Sequence, residues 1–255
     1  MIEAANLVAL DGVRHGFLTR AGGVSAGPYA SLNCGWSTGD APDRVHRNRA
    51  RALERLGVGT DSLSTARQVH GAEVLVVRAP QPGPPQTVAD ALVTDRPSIT
   101  LGVLCADCAP VLLADPAARV IGAAHAGWRG ALKGVIEAAV AAMVGLGAQP
   151  TRLRAAVGPC IGFGSYEVGP ELRDQFARED PGCEPLFQAV PGSDRLRFDL
   201  KGYALRRVER AGVTSRQALP EDTWADEASF FSARRSRQRG EERFGLLLSA
   251  IALDR

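Results

Sequence analysis

Apolar residues come in short runs along this chain. Runs at 73–78, 99–104, 110–114, 119–124, 153–157 and 246–253 are five to eight residues long, and they predict strands. Helical periodicity is rarer. It is clearest over 42–56, where Val45, Leu53 and Leu56 share a face, with Asp40 as a candidate cap and Gly57 as a stop. A second helix is predicted over 131–146, the most apolar tract, and others over 169–179 and 200–211, the last between Asp199 and Gly212. The stretch APQPGPPQ, 79–86, reads as a proline-rich surface loop too short to separate domains. No repeat is visible. Close-set strands among fewer helices predict an α/β domain with a mixed sheet or two packed sheets and the helices outside.

Composition changes this picture little. The chain has 255 residues, enough for a core without disulfide staples, and its 45% hydrophobic content is that of an ordinary soluble protein. A net charge of +2 argues neither for nor against an acidic partner. Lys133 and Lys201 are the only lysines, so the positive charge is arginine, which weakens any single Arg as a functional signal. Five cysteines without small-scaffold spacing read as reduced thiols in the cytoplasm. The first residues lack a signal-peptide pattern, and the apolar tract at 131–147 is short for a bilayer and carries Lys133 and Glu137. No membrane or nucleic-acid partner is expected, and the chain is expected to be a monomer. Neither GxGxxG nor a Walker sequence occurs.

Candidate chemistry centres on VLCADCAPVLL, with Cys105 and Cys108 in an apolar run, and on two of four histidines. His46 lies among arginines and is expected to face solvent. His15 lies where a strand gives way to a Gly-rich turn. His70, in QVHG, precedes a strand. His125, in AAHAGWRG, ends an apolar strand before a Gly-rich turn. Strand ends facing loops are where α/β proteins tend to place chemistry. Together His70, Cys108 and His125 would suit zinc with one open position, zinc or copper fitting this donor set better than magnesium. Two alternatives stay open on the residues alone: partly buried histidines with a core thiol, or a Cys108–His125 nucleophile–base dyad. A zinc ribbon lacks its second CxxC. The cytidine-deaminase pattern lacks H-x-E and P-C-x-x-C. Four histidines are too few for a three-copper site.

The blocks QVHGAEV, ADALVTD, CADCAPVLLAD, AAHAGWRGALKGV and GPCIGFGSYEVG resemble the laccase-domain purine nucleoside phosphorylases, members of which are also labelled polyphenol oxidase or peptidoglycan editing factor. The resemblance runs over nearly the whole chain and implies an α/β fold, one compact domain over 1–255 with mixed β-sheets packed between helices. It implies one zinc, ahead of copper, held by His70, Cys108 and His125, with Cys105 a small buried residue. It implies phosphorolysis of purine nucleosides such as adenosine, inosine and 5′-methylthioadenosine, with adenosine deamination in the same site. Purine nucleosides and phosphate are then the expected partners. On this reading Arg20 in TRAGG and Arg129 in GWRG are candidates for phosphate. Asp107, between the cysteines, is a candidate for orienting a ligand histidine or bonding the ribose, with a buried structural carboxylate as the alternative. Tyr166 and Glu167 lie in a family block without an assignable role.

The sequence departs from that family in EDTWADEASFFSARRSRQRGEER. The usual Cys is absent, Ala233 stands in place of a Tyr, and arginines replace a turn. Arg234, Arg235, Arg237 and Arg239 read as a solvated basic edge, since no aromatic interleaving accompanies them. The leading expectation is a zinc-dependent purine nucleoside phosphorylase and adenosine deaminase. The alternatives are a Cys–His amidohydrolase acting on cell-wall precursors and a non-catalytic metal-binding regulatory protein.

Overall fold

The apolar runs form strands whose two faces are both covered. A computed structural model describes residues 1–254. Its strands are β1 (Val13–Phe17), β2 (Leu63–Ser64), β3 (Val74–Val76), β4 (Ala91–Thr94), β5 (Thr100–Cys105), β6 (Ala109–Asp115), β7 (Val120–Ala126), β8 (Arg154–Val157), β9 (Glu167–Val168), β10 (Phe187–Ala189), β11 (Leu196–Phe198), β12 (Ser215–Ala218) and β13 (Leu247–Leu253). The α-helices are α1 (Ala5–Val8), α2 (Pro42–Leu56), α3 (Trp128–Leu132), α4 (Val135–Gly145), α5 (Pro170–Glu179), α6 (Leu200–Arg210) and α7 (Ala233–Gln238).

Three sheets result: β12-β8-β6-β7-β4-β3, β1-β13-β5-β2, and the small β10-β11-β9. Both larger sheets mix parallel and antiparallel pairs. Alternation along the strands divides the core. Leu112 and Ala114 of β6 and Ile121 and Ala123 of β7 face Leu101 and Val103 of β5 and Ile251 of β13, so the two larger sheets pack face to face. The alternate residues Val111, Leu113, Val120 and Ala124 turn the other way, onto α4 and α6. On the far side of the four-stranded sheet, Ala52, Leu53 and Leu56 of α2 meet Leu63, Leu104, Leu248 and Ala250. The order of layers is therefore helix, sheet, sheet, helix. Strands covered on both faces explain the unbroken apolar runs.

Most predicted elements are present, with three differences. The helix expected over 131–146 is two helices, because Gly134 takes φ +90 between them, a conformation other residues rarely adopt. Asp40 does not cap α2. Ala41 stands at that position, while Asp40 accepts bonds from Ser25, Asn33 and the Ala41 N–H. Asp199 does cap α6, accepting from the Gly202 N–H. Strands β2, β4 and β9 to β12 and helices α1 and α7 have no counterpart among the predicted elements. Among the described residues, no helix is long and apolar enough to cross a membrane.

Candidate metal centre

Two loops and the end of one strand bring His70, Cys108 and His125 together. His70 lies between β2 and β3, Cys108 in the turn joining β5 to β6, and His125 near the end of β7. One ligand atom from each lies within 4.8 Å of the other two, and they form a group that can hold a metal ion. Cys108 Sγ is 3.6 Å from His70 Nε2, and the two imidazole rings meet edge to face at 4.9 Å. The spacing suits one thiolate and two imidazoles converging on one tetrahedral ion, leaving a fourth position free. His125 is 3% exposed, whereas His70 is the most open of the three. Cys105, in β5, is a buried core thiol and is not part of the group.

Asp90, which the sequence reading did not single out, organises the site. Its fully buried carboxylate accepts from His125 Nδ1 at 2.8 Å and from the N–H groups of Val69, His70 and Gly71 at 3.0, 2.9 and 2.8 Å. One side chain thus turns His125 Nε2 toward the centre and clamps the turn that presents His70. That turn holds His70 at φ +60, a left-handed conformation unusual for a residue with a side chain. The only available hint was the Asp in ADALVTD, inside a quoted block but without an assigned function.

HAGWRG has a packing reason as well. A Cβ on Gly127 would lie 2.7 Å from His70 Cδ2 and 2.9 Å from Cys108 Sγ, and one on Gly130 would lie 2.9 Å from the Gly71 carbonyl oxygen. The backbone after β7 therefore passes against the ligands only because it is bare. Burial alone would raise the Cys108 thiol, but the His125 and His70 imidazoles outweigh it and bring the thiol down to about 6. Burial likewise lowers His125, and the Cys108 thiolate and Asp90 outweigh it, raising His125 to about 9. At neutral pH the metal-free pair therefore rests as thiolate and imidazolium, and a soft or borderline metal binding there would displace the His125 proton.

The centre opens into a cavity of about 850 Å³ whose wall includes Trp128, Arg129, Tyr166, Gln68, Asp107 and Arg234. Arg129 lines it with its guanidinium over the Trp128 ring, 4.3 Å from the centroid. Pro84 and Pro85 of the proline-rich loop complete part of the rim.

Arg20 falls elsewhere, and Asp107 and the arginines of the basic edge make other contacts than expected. Arg20 does not reach this cavity. It lines a separate one, with Nε bonded to the Ala30 carbonyl and Nη1 to that of Glu227, and packs over Phe231. Asp107 does not orient a ligand histidine, a role Asp90 fills. Its oxygens accept from Thr223 Oγ1 at 2.7 Å, Ser232 Oγ at 2.9 Å and the Arg234 N–H at 2.7 Å. Asp107 thereby pins the carboxy-terminal segment to the turn that carries Cys108. The basic edge expected around 234–239 is partly structural. Arg235 is 8% exposed and donates to the carbonyls of Thr223, Trp224 and Phe230, and Arg239 forms a two-pronged pair with Glu227. Arg234 donates to the Glu167 carbonyl and lies over the Tyr166 ring. Of the remaining histidines, His46 is exposed as expected, and His15 is buried with Nε2 accepting from the Ala4 N–H at 2.8 Å.

Fold and site together define a two-sheet α/β protein with a candidate metal centre at the head of a loop-walled cavity. The chain belongs to the family described as multi-copper polyphenol oxidoreductase laccase, whose profile matches residues 14–254. It is 43% identical over 231 residues to a purine nucleoside phosphorylase of Streptomyces coelicolor, covering 91% of this chain and 93% of that one. It is 43% identical over 240 residues to a purine nucleoside phosphorylase of Deinococcus radiodurans, covering 92% and 87%. A solved structure, the hypothetical protein YfiH of Bacillus licheniformis, superposes with a TM-score of 0.88 at 29% identity, over 95% of this chain and 93% of that one.

Proposed function

We propose that the protein is a zinc-dependent purine nucleoside phosphorylase that also deaminates adenosine at the same centre. The observation that carries this is a three-ligand His-Cys-His group opening on a cavity large enough for a nucleoside and an oxyanion. Relatives named purine nucleoside phosphorylase at 43% identity support the reaction class. The thiolate and two imidazoles favour zinc ahead of copper, and two of the four histidines lie outside the group, which disfavours a multi-copper centre. Bound zinc would act as a Lewis acid that activates water for displacement at the purine C6.

The chain's own residues do the rest. Asp90 fixes the His125 ring and the His70 turn, so the ligands need no reorganisation when a metal binds. Trp128 and Tyr166 offer flat apolar surface to a purine. Arg129 sets a guanidinium in the wall at the metal end, where it can face a substrate oxyanion. In phosphorolysis a phosphate oxygen bonds to the ribose C1′ as the bond from C1′ to the purine N9 breaks, and the departing purine takes up a proton. The five cysteines are unpaired, which supports a reducing, cytoplasmic setting.

The test uses purified protein with adenosine, inosine and 5′-methylthioadenosine, with and without phosphate. Adenosine should yield adenine and ribose 1-phosphate only with phosphate, and inosine without it. Equal base release in both conditions would mean hydrolysis and refute the phosphorylase reading. The lowered thiol of Cys108 beside His125 would also suit a cysteine nucleophile. A Cys108 that resists alkylation until zinc is stripped supports the metal reading over that one.

A further inference from the structure

We propose that the end of the cavity at Arg49 is a docking site for a phosphate-sized oxyanion, distinct from the Arg129 end. Arg49 comes from the inner face of α2 and is 7% exposed. Its Nε donates to the Cys34 carbonyl at 2.9 Å. Nη1 and Nη2 both reach one oxygen, Thr65 Oγ1, each at 3.4 Å, long for a charge-assisted bond. A guanidinium has five N–H donors, so two have no protein acceptor. Among the described residues no carboxylate pairs with Arg49, although ten other arginines form ion pairs. A buried cation without a counter-charge is costly unless a ligand supplies one.

Two more unmatched donors lie in the same wall. Trp36 stacks by the Arg49 guanidinium, 5.2 Å from ring centroid to its central carbon. The Trp36 Nε1 is buried without a hydrogen-bond partner, and an indole N–H can only donate. Thr65, 2% exposed, accepts from Arg49, which leaves its hydroxyl hydrogen free to donate. Arg49, Trp36 and Thr65 all line the cavity that holds the metal centre. The one carboxylate in that wall, Asp107, has its oxygens committed to Thr223, Ser232 and Arg234. A guanidinium fork, a hydroxyl and an indole N–H, with no competing acceptor, make a site that wants a tetrahedral oxyanion. Burial lowers the Arg49 pKa to about 10, with no carboxylate to offset it, so the group stays charged at neutral pH.

This deepens the phosphorylase reading and rests on it for the occupant, inorganic phosphate. An ester phosphate at the 5′ position of a nucleotide has the same chemistry and is the second source to test. Titration calorimetry of inorganic phosphate into the zinc-loaded protein reads the site without turnover. Arg49→Gln should weaken phosphate binding at least about tenfold, the range for a charged hydrogen bond, with zinc content unchanged. Thr65→Val, close in shape, should weaken it severalfold, and it decides the matter should Arg49→Gln fail to fold. Arg173→Ala, on the exposed surface of α5 outside the cavity, should leave this binding within about twofold. Unaltered affinity for both inorganic phosphate and adenosine 5′-monophosphate in Thr65→Val and in any folded Arg49→Gln would overturn the proposal, as would no binding of either by the unmodified protein at millimolar concentration. If the variants instead lose only the preference for adenosine 5′-monophosphate over adenosine, the oxyanion site stands with the nucleotide as its source. Phosphate binding through Arg49 without nucleoside cleavage would keep the site and remove the phosphorylase reading. Phosphorolysis insensitive to these variants would do the reverse.

Discussion

Asp90→Asn is the most informative single change, because the two oxygens of Asp90 have four donors between them. Oδ1 serves His125 Nδ1 and the His70 N–H, and Oδ2 serves the Val69 and Gly71 N–H groups. Asparagine keeps the shape but turns one oxygen into an NH2. Whichever way the amide is placed, a donor faces two donors and two bonds to a charged acceptor are lost. At about 1.5–3 kcal/mol each, the gross loss is about 3–6 kcal/mol. Relief of a buried charge and local relaxation reduce this to about 2–4 kcal/mol. That is a large part of the ~5–15 kcal/mol that typically holds a domain together. If the amide frees His125, the imidazole loses its fixed direction, and metal affinity should fall about 10- to 100-fold. Urea unfolding of the metal-free protein reads the first effect, and chelator competition at equilibrium reads the second. A variant that loses less than about 1 kcal/mol and binds zinc as the parent does would show that Asp90 does not organise this site.

Other expectations follow from the same geometry. Gly127→Ala keeps an ordinary backbone, since φ is −68, but its Cβ would press on His70 and Cys108; zinc affinity should drop by about tenfold or more while the melting temperature stays within a few degrees. Cys108→Ala and His70→Ala should each cut zinc content sharply in elemental analysis, whereas Cys105→Ser should cost stability in the core and retain the metal. Asp115 is fully buried, and although burial alone would raise its carboxyl, Arg152 and the N–H groups of Gln149 and Ala118 hold it below the ordinary range. A depressed carboxyl stabilises the fold above its unfolded pKa of about 4 and loses that contribution as pH falls through the folded value; Asp115→Asn should therefore flatten the acid limb of a stability-versus-pH curve below about pH 4.

Strand periodicity was readable where strands are buried on both faces, as at 110–114 and 119–124, since an unbroken apolar run has few other solutions. Strand β4 was missed because Ala91–Thr94 is short and follows a polar turn; its place is set by pairing with β7, which no local pattern reveals. Helix α7 was hidden by its arginines, which read as solvated until Arg235 found three carbonyls to bond. His70, Cys108 and His125 were singled out because His and Cys are scarce and lie at strand ends. Asp90 and Arg49 escaped for the opposite reason, being common residue types whose meaning lies in what surrounds them. Arg20 stood out for its Gly-rich setting, yet the fold carries that setting to another cavity.

The position of β13 bears on how the molecule is made. It lies between β1 and β5 in the four-stranded sheet, pairing with both, yet it comes from Leu247–Leu253, far downstream of either. During synthesis β1 has nothing in that sheet to pair with until β13 emerges, long after His70, Cys108 and His125 have been translated. The segment pinned to Asp107 is also late. Contacts this distant along the chain slow folding, and an unpaired edge exposed meanwhile invites aggregation. The metal ligands are thus available to a growing chain before the scaffold that orders them, and the order of metal uptake and folding becomes a question for the ribosome-bound nascent chain.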